Sequence, residues 1–309
     1  MNSKTLLYIL KRTALAILTV WIVITITFFV SRAVPGGPFA SEKAITPAAQ
    51  AALEAKYGLD KPLLQQYGTY LKDIVTKFDF GPSLKNRGRD VIDVIGDGLR
   101  TSAKLGVFAA VIALIIGVVL GSVAALRRNK LIDRVVMVFT TACISMPSFI
   151  MGTLLLILFA VTWRILPANG NAEGGLILPI ITLSLSPMAN ITRLTRSSML
   201  DVLGQDYIRT AKAKGVSNRK IIFGHALKNA LIPVITYFGP MLAYIVTGSL
   251  VVEQIFAVPG IGRTFVSSIT DRDYPMIMGT TIVLAALIVI MNMVSDILYK
   301  VVDPRINLE

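Results

Sequence analysis

The sequence is poor in the residues that build polar chemistry. Its 309 residues include one cysteine and one histidine. A lone cysteine, Cys143, excludes an intramolecular disulfide and leaves the redox compartment unread. With His225 as the only imidazole, a zinc-type site has almost no ligands to draw on. Charged residues make up 16% of the chain, against about 25% in soluble domains, so lipid is expected to solvate much of the surface. No G-x-x-x-x-G-K-[S/T] phosphate cradle occurs, and the nearest basic stretch, residues 215–220, lacks the second glycine. ATP dependence by that route has to come from a partner. H-E-x-x-H and G-x-S-x-G are missing too, which leaves a membrane-embedded enzyme without a recognisable nucleophile or metal motif.

What is abundant is apolar sequence, 54% of the chain. It falls into six runs: residues 13–30, 105–126, 135–161 (interrupted by Pro147), 176–191, 231–252 and 276–301. A membrane span needs about 20 mainly apolar residues, and the fourth run, with Pro179 and Pro187, is short. The fold expected is all-α, with six transmembrane helices. The net charge of +13 comes from Lys and Arg clustered between the runs, the pattern of a topology determinant rather than of a nucleic-acid surface. With the N-terminus inside, the short loops divide 17 to 3 in favour of basic inner loops, predicting N-in and C-in. The first run is longer than a signal-peptide core and is expected to stay as an uncleaved span. Three parts follow: residues 1–31, a tail and first span; residues 32–104, an extracytoplasmic helical subdomain; and residues 105–309, a core of five spans.

The outer segment carries Thr46-Pro47 ahead of a predicted helix 48–57 that Gly58 ends. A second helix opens at Pro62, with Leu63, Leu64, Tyr67, Tyr70, Leu71 and Ile74 at helical spacing. Phe80-Gly81-Pro82-Ser83 reads as a turn. The inner segment 193–230 reads as helix, turn, helix. Residues 207–214 form the first helix, Gly215 a left-handed C-terminal turn, and Ser217 the N-cap of the next. Such a helix tied to two spans can transmit force from a partner, or can simply lie on anionic lipid as a basic anchor.

Polar residues and helix breakers inside spans tend to face the protein interior or a wet cavity. On that basis the pathway candidates are Ser145, Pro147 and Ser148 in the third run and Asn190 in the fourth. The fifth supplies Thr236, Tyr237, Pro240 and Thr247, and the sixth Asn292. The competing reading is that these hydroxyls and amides only pack helices or bond their own backbone. Gly117 and Gly121 form a small-xxx-small pair, which predicts close helix packing. Glu253, at the outer end of the fifth run, is expected to pair at the surface. A proton-driven secondary transporter would need buried charges or internal repeats, and neither is visible.

The inner segment resembles the cytoplasmic loop of permease subunits of binding-protein-dependent ABC importers, whose signature is Glu-Ala-Ala, three residues, then Gly. Arg209-Thr210-Ala211 occupies the triplet and Gly215 the glycine position. The first two triplet residues depart from the general pattern, in a form similar to the oligopeptide and dipeptide branch. Further motifs follow in order: Pro35-Gly36-Gly37-Pro38, Asp79-Phe80-Gly81-Pro82-Ser83, Ser145-Met146-Pro147-Ser148-Phe149, Val258-Pro259-Gly260-Ile261-Gly262, Arg272-Asp273-Tyr274 and Asp303-Pro304-Arg305-Ile306. The chain resembles the B-type membrane subunits of that branch. The resemblance implies the type I ABC importer permease fold in a bacterial cytoplasmic membrane. It implies half of a pathway for oligopeptides, completed by a homologous second permease; nickel, dipeptides or another small solute are the alternative cargo. It implies one or two cytoplasmic ATPase subunits that bind ATP and Mg, with no cofactor and no catalysis in this chain, and an extracytoplasmic peptide-binding protein. Membrane lipid is the remaining partner, and nucleic acid is not one. The ATPase contact carried over is Tyr207, Ile208, Arg209, Thr210, Ala211, Lys212, Ala213, Lys214 and Gly215.

Overall fold

A computed structural model of the chain describes residues 3–34, 54–55, 58–86, 88–246 and 250–302, with side chains described at all of these except 3–9, 243, 246 and 295–302. The motifs at 35–38 and 303–306 and the helix predicted at 48–57 lie outside the described residues, apart from helical Glu54 and Ala55. Helices dominate, and among the described residues extended backbone pairs only in a lone antiparallel bridge between Pro82 and Asp90.

In chain order the helices are α1 (Ser3–Ala33), α2 (Leu63–Lys77), α3 (Val91–Leu126), α4 (Leu131–Ser145), α5 (Ser148–Leu155, running on as a π-helical turn Leu156–Thr162) and α6 (Ile177–Leu203). Then come α7 (Asp206–Ala213), a π-helical segment Lys220–Ala226, α8 (Leu227–Ala230), α9 (Ile232–Val246), α10 (Leu250–Ile255), α11 (Ile261–Asp271) and α12 (Tyr274–Val302). Four stretches are long and apolar enough to cross a membrane: Leu10–Ala33, Val91–Leu126, Ile177–Leu203 and Tyr274–Val294. Two bent pairs, Leu131–Ser145 with Ser148–Thr162 and Lys220–Ala230 with Ile232–Leu242, bring the number to six if each is one span. The chain is a multi-pass membrane protein.

Three runs differ from their sequence reading. The third is two helices whose axes turn by 108°. The cause is local: the Pro147 ring clashes with an α-conformation at the residue before it, and Met146 accordingly sits at φ −87°, ψ 127°. The fourth run is not short, because its helix continues to Leu203 and buries Thr192, Thr195 and Met199 along the added turns. The second begins at Val91, so no break separates residues 104 and 105. Val91 and Ile95 are buried in a hydrophobic cluster, and that burial carries the helix beyond the apolar run.

Contacts divide the chain into two compact units, residues 1–100 with 260–287 and residues 101–259 with 288–309. In the first, Ile24 and Phe28 of α1 cluster with Phe80, Val91, Ile95, Ile261, Met276, Met278 and Ile282. Helix α2 lays Tyr67, Tyr70, Leu71 and Ile74 of the expected spacing against them, whereas Leu63 and Leu64 of the same spacing are exposed. The Tyr67 ring meets Phe28 edge-on at 5.2 Å, and its hydroxyl lies 2.7 Å from Thr25 Oγ1. The first apolar run and the outer segment therefore share a core.

In the second unit, α3 and α6 pack backbone to backbone at the two glycines. A Cβ on Gly121 would stand 2.5 Å from the Thr192 carbonyl oxygen, and one on Gly117 would stand 2.7 Å from Ile191 Cγ2. Gly121→Ala is thus expected to cost about 1–3 kcal/mol through overpacking, read as a lower unfolding temperature in detergent with unchanged helix content. Helices α4 and α6 are tied by a two-pronged ion pair. Arg196 Nε donates to Asp133 Oδ1 at 2.6 Å and Nη2 to Oδ2 at 2.8 Å, while the Asn129 N–H adds a bond of 2.9 Å to Oδ2. Glu253 does not pair at the surface: α10 turns it inward, where it is fully buried and accepts the Ser102 hydroxyl at 2.7 Å.

Candidate translocation cavity and partner-facing helix

Three prolines converge on one cavity in the second unit. Its volume is about 510 Å³, and Pro147 between α4 and α5, Pro187 inside α6 and Pro240 inside α9 all line it. Each of the two inside a helix lacks the N–H that would bond the carbonyl four residues earlier, here Leu183 and Thr236. Irregular backbone of this kind is tolerated at membrane depth where it is buried in protein or borders a wet cavity. The 108° turn at Pro147 lies at its edge, and Ser148, Thr182, Ser186, Tyr237 and Tyr244 carry hydroxyls among apolar side chains such as Met146 and Met241.

Of the pathway candidates, this cavity brings together Pro147, Ser148, Tyr237 and Pro240. Asn190 lies outside the lining, donates its amide to the Ser186 carbonyl at 3.0 Å and interacts with Tyr237. Thr236 returns its hydroxyl to the Ile232 carbonyl at 3.0 Å. Ser145 and Asn292 are exposed and outside the lining, and Thr247 lies outside the described residues. Thr182, Ser186 and Tyr244 line the cavity without having been singled out. For Tyr244 a signal was available: Tyr237, Pro240, Met241 and Tyr244 follow i, i+3, i+4, i+7 and so mark one helix face.

The nine residues 207–215 form a single element. Helix α7 buries only Ile208, in a cluster with Met199, Ile221, Ala226 and Ala230. That cluster fixes α7 on the segment leading into α8, and Asn229 donates its amide to the Tyr207 hydroxyl at 2.9 Å as a second tether. Tyr207, Arg209, Thr210, Lys212, Ala213, Lys214 and Gly215 are exposed, Ala211 half-buried. The helix ends in a Schellman motif: the Val216 N–H reaches the Ala211 carbonyl at 3.1 Å and the Gly215 N–H the Lys212 carbonyl at 3.0 Å. Gly215 has φ +76°, the left-handed geometry expected of it. Ser217 stands at the start of the next helical turn, where its backbone carbonyl accepts the Ile221 N–H at 3.0 Å. The outcome is a rigidly seated basic surface, with Phe223 69% exposed beyond it. Among the described residues no group of three His, Cys, Asp or Glu side chains could hold a metal.

Relatives share this whole chain. The dipeptide transport system permease protein DppB of Bacillus subtilis is 49% identical over 302 residues, covering 97% of this chain and 98% of that protein. The oligopeptide transport system permease protein OppB of Salmonella typhimurium is 46% identical over 303 residues, covering 97% and 99%. Among solved structures, inward-facing MetNI methionine ABC transporter matches with a TM-score of 0.55 at 16% identity, over 69% of this chain and 97% of that one. A crystal structure of an amino acid ABC transporter with histidines matches with a TM-score of 0.52 at 16% identity, over 70% and 95%. These share the type I importer fold. The description "binding-protein-dependent transport system inner membrane component" matches residues 117–308, and that of the N-terminal part of the same membrane components matches residues 5–89. This chain belongs to the family of binding-protein-dependent transport system inner membrane components.

Proposed function

We propose that the chain is a permease subunit of an ATP-driven importer and forms half of the membrane pathway for peptides. The observation that carries the cargo is the near-full-length similarity to permeases named for dipeptide and oligopeptide transport. In this reading a homologous second permease completes the pathway in a bacterial cytoplasmic membrane, with both termini inside. One or two ATPase subunits bind ATP and Mg, and the exposed face of α7 with Gly215 is their contact. An extracytoplasmic peptide-binding protein delivers cargo. The proline-lined cavity belongs to the path: hydroxyls of Ser148, Ser186, Tyr237 and Tyr244 bond a peptide backbone without demanding a side chain, and apolar walls accept varied residues. Alternating access follows if the nucleotide-bound ATPases favour one arrangement of the α7 segments.

Affinity isolation of the tagged chain from native membranes tests this. A second six-span permease and a Walker-motif ATPase are expected to co-purify in mild detergent, and reconstituted complex with its receptor outside is expected to accumulate labelled peptide only when ATP is enclosed in the vesicle, on the α7 side. Recovery of the chain alone, under conditions that hold other membrane complexes together, overturns the reading.

A further inference from the structure

The first unit holds a second cavity, of about 350 Å³, that neither the pathway nor α7 explains. Arg32 lines it. The guanidinium carbon stands 3.6 Å from the Phe28 ring centroid and 5.9 Å from that of Tyr274. Arg32 Nε donates to Gln66 Oε1 at 2.9 Å. Gln66 is itself held, since its amide donates to the Leu59 and Lys61 carbonyls at 3.1 and 2.8 Å. These contacts orient the guanidinium and yet leave it unfinished: among the described residues Arg32 Nη1 is buried without a partner, and so is the hydroxyl of Tyr70, which lines the same cavity. Burial pushes the Tyr70 phenol far above its ordinary range, so it stays protonated and able to donate. A buried cationic donor and a buried hydroxyl on one cavity, both unsatisfied, are costly and call for an acceptor. Asp73, the acid in the lining, has its Oδ1 on Lys77 Nζ at 3.0 Å.

We propose that this cavity binds a small zwitterion, an amino acid or dipeptide, whose carboxylate accepts from Arg32 and Tyr70. A guanidinium presents paired N–H groups suited to a carboxylate. The Asp73 carboxylate in the same lining serves the ligand's ammonium and disfavours a phosphate. The volume is at the low end for small-ligand sites, which suits one or two residues and not a long peptide. The site would hold a peptide end within the first unit. This inference rests on the peptide reading above.

The test is calorimetry on the purified full chain in phosphatidylcholine nanodiscs, titrated with dialanine, alanyl-alaninamide and inorganic phosphate. Dialanine is expected to bind and the amide to bind at least roughly tenfold more weakly, the loss of a charge-assisted bond. Arg32→Gln and Tyr70→Phe are each expected to weaken dialanine binding. Without ligand, Tyr70→Phe is expected to melt no lower than wild type, because it removes an unsatisfied buried hydroxyl; a purely structural tyrosine would give the opposite. Unchanged dialanine affinity in both variants overturns the inference. So does phosphate binding in place of dialanine, which assigns the site to a free anion, or loss of dialanine binding on adding phosphatidylglycerol, which assigns it to a lipid headgroup. Peptide uptake by the assembled wild-type transporter is read in parallel. Uptake without binding at Arg32 overturns this inference alone, and binding without uptake overturns the transport reading alone.

Discussion

A Gly215→Val protein, present at normal level, is expected to import peptide roughly tenfold more slowly while still docking its receptor-loaded cargo. The reasoning starts from the backbone. Gly215 sits at φ +76°, where a Cβ clashes with the following carbonyl at a cost of about 1–2 kcal/mol, and a β-branched residue fares worst. Beyond its chain neighbours a Cβ there would meet no atom within 4 Å, so the penalty lies in the local backbone and not in tertiary packing. Relief comes from abandoning the left-handed turn, which breaks the Schellman bonds from Val216 to Ala211 and from Gly215 to Lys212. The chain then leaves α7 at a different angle, and the exposed basic face no longer moves as one piece with α8 and α9. Gly215→Asn supplies the control: asparagine tolerates the left-handed region, so near-normal uptake is expected. Normal uptake by the valine protein would refute a force-transmitting role for this turn.

The Gly215 turn was legible from sequence because everything that determines it is local: a run of helix formers, then a residue free to take positive φ. Helix α2 was legible for the same reason, its apolar spacing from Tyr67 to Ile74 matching the face it packs on Phe28 and the other residues of that core, although Leu63 and Leu64 before it stay exposed. Gly117 and Gly121 announced close packing correctly, although not that α6 was the neighbour. Polarity inside apolar runs was a weaker guide. Ser148 and Tyr237 line the cavity, whereas Thr236 bonds its own helix at Ile232, and a hydroxyl in a span reads the same in either case. Pro147 was visible as an interruption, but not the 108° turn it permits, since a proline in an apolar run can kink a helix or end it and neighbouring helices decide which. Glu253 looked like a surface residue at a span end and is buried on Ser102. That partner lies 151 positions away, beyond any local pattern.

The same limit applies to Asp273, and replacing it with alanine is expected to be the most destabilising single change in the first unit. Two short motifs, Asp79 to Ser83 and Arg272 to Tyr274, look unrelated in the sequence, yet the structure makes them one device. The Asp273 carboxylate is buried at 1% exposure. The Ser83 hydroxyl donates to its Oδ2 at 2.5 Å while accepting the Asn86 N–H at 2.9 Å. The backbone N–H groups of Leu84 and Lys85 donate at 3.2 Å each. On the other side Asp273 caps α12, its Oδ1 taking the Met276 N–H at 3.2 Å and its carbonyl the Ile277 N–H at 2.8 Å. One carboxylate thus satisfies the start of a long apolar helix and a tight turn 190 positions earlier, and its negative charge complements the helix dipole. Asp273→Ala removes the acceptor for three backbone N–H groups and one hydroxyl at once. Each unsatisfied buried donor costs about 1–3 kcal/mol, so a net loss of about 4 kcal/mol is expected after partial rescue by water, a large share of the stability of an ordinary domain. Asp273→Asn keeps one carbonyl acceptor but turns an NH₂ toward the donors, and should fall between alanine and wild type. Thermal unfolding of the purified chain in detergent, followed by proteolysis within residues 58–100, reads both. The alanine protein should unfold at lower temperature and be cut in that segment first; an unchanged melting temperature would mean that the apolar cluster around Phe80 and Met276 holds the turn to the helix without the carboxylate.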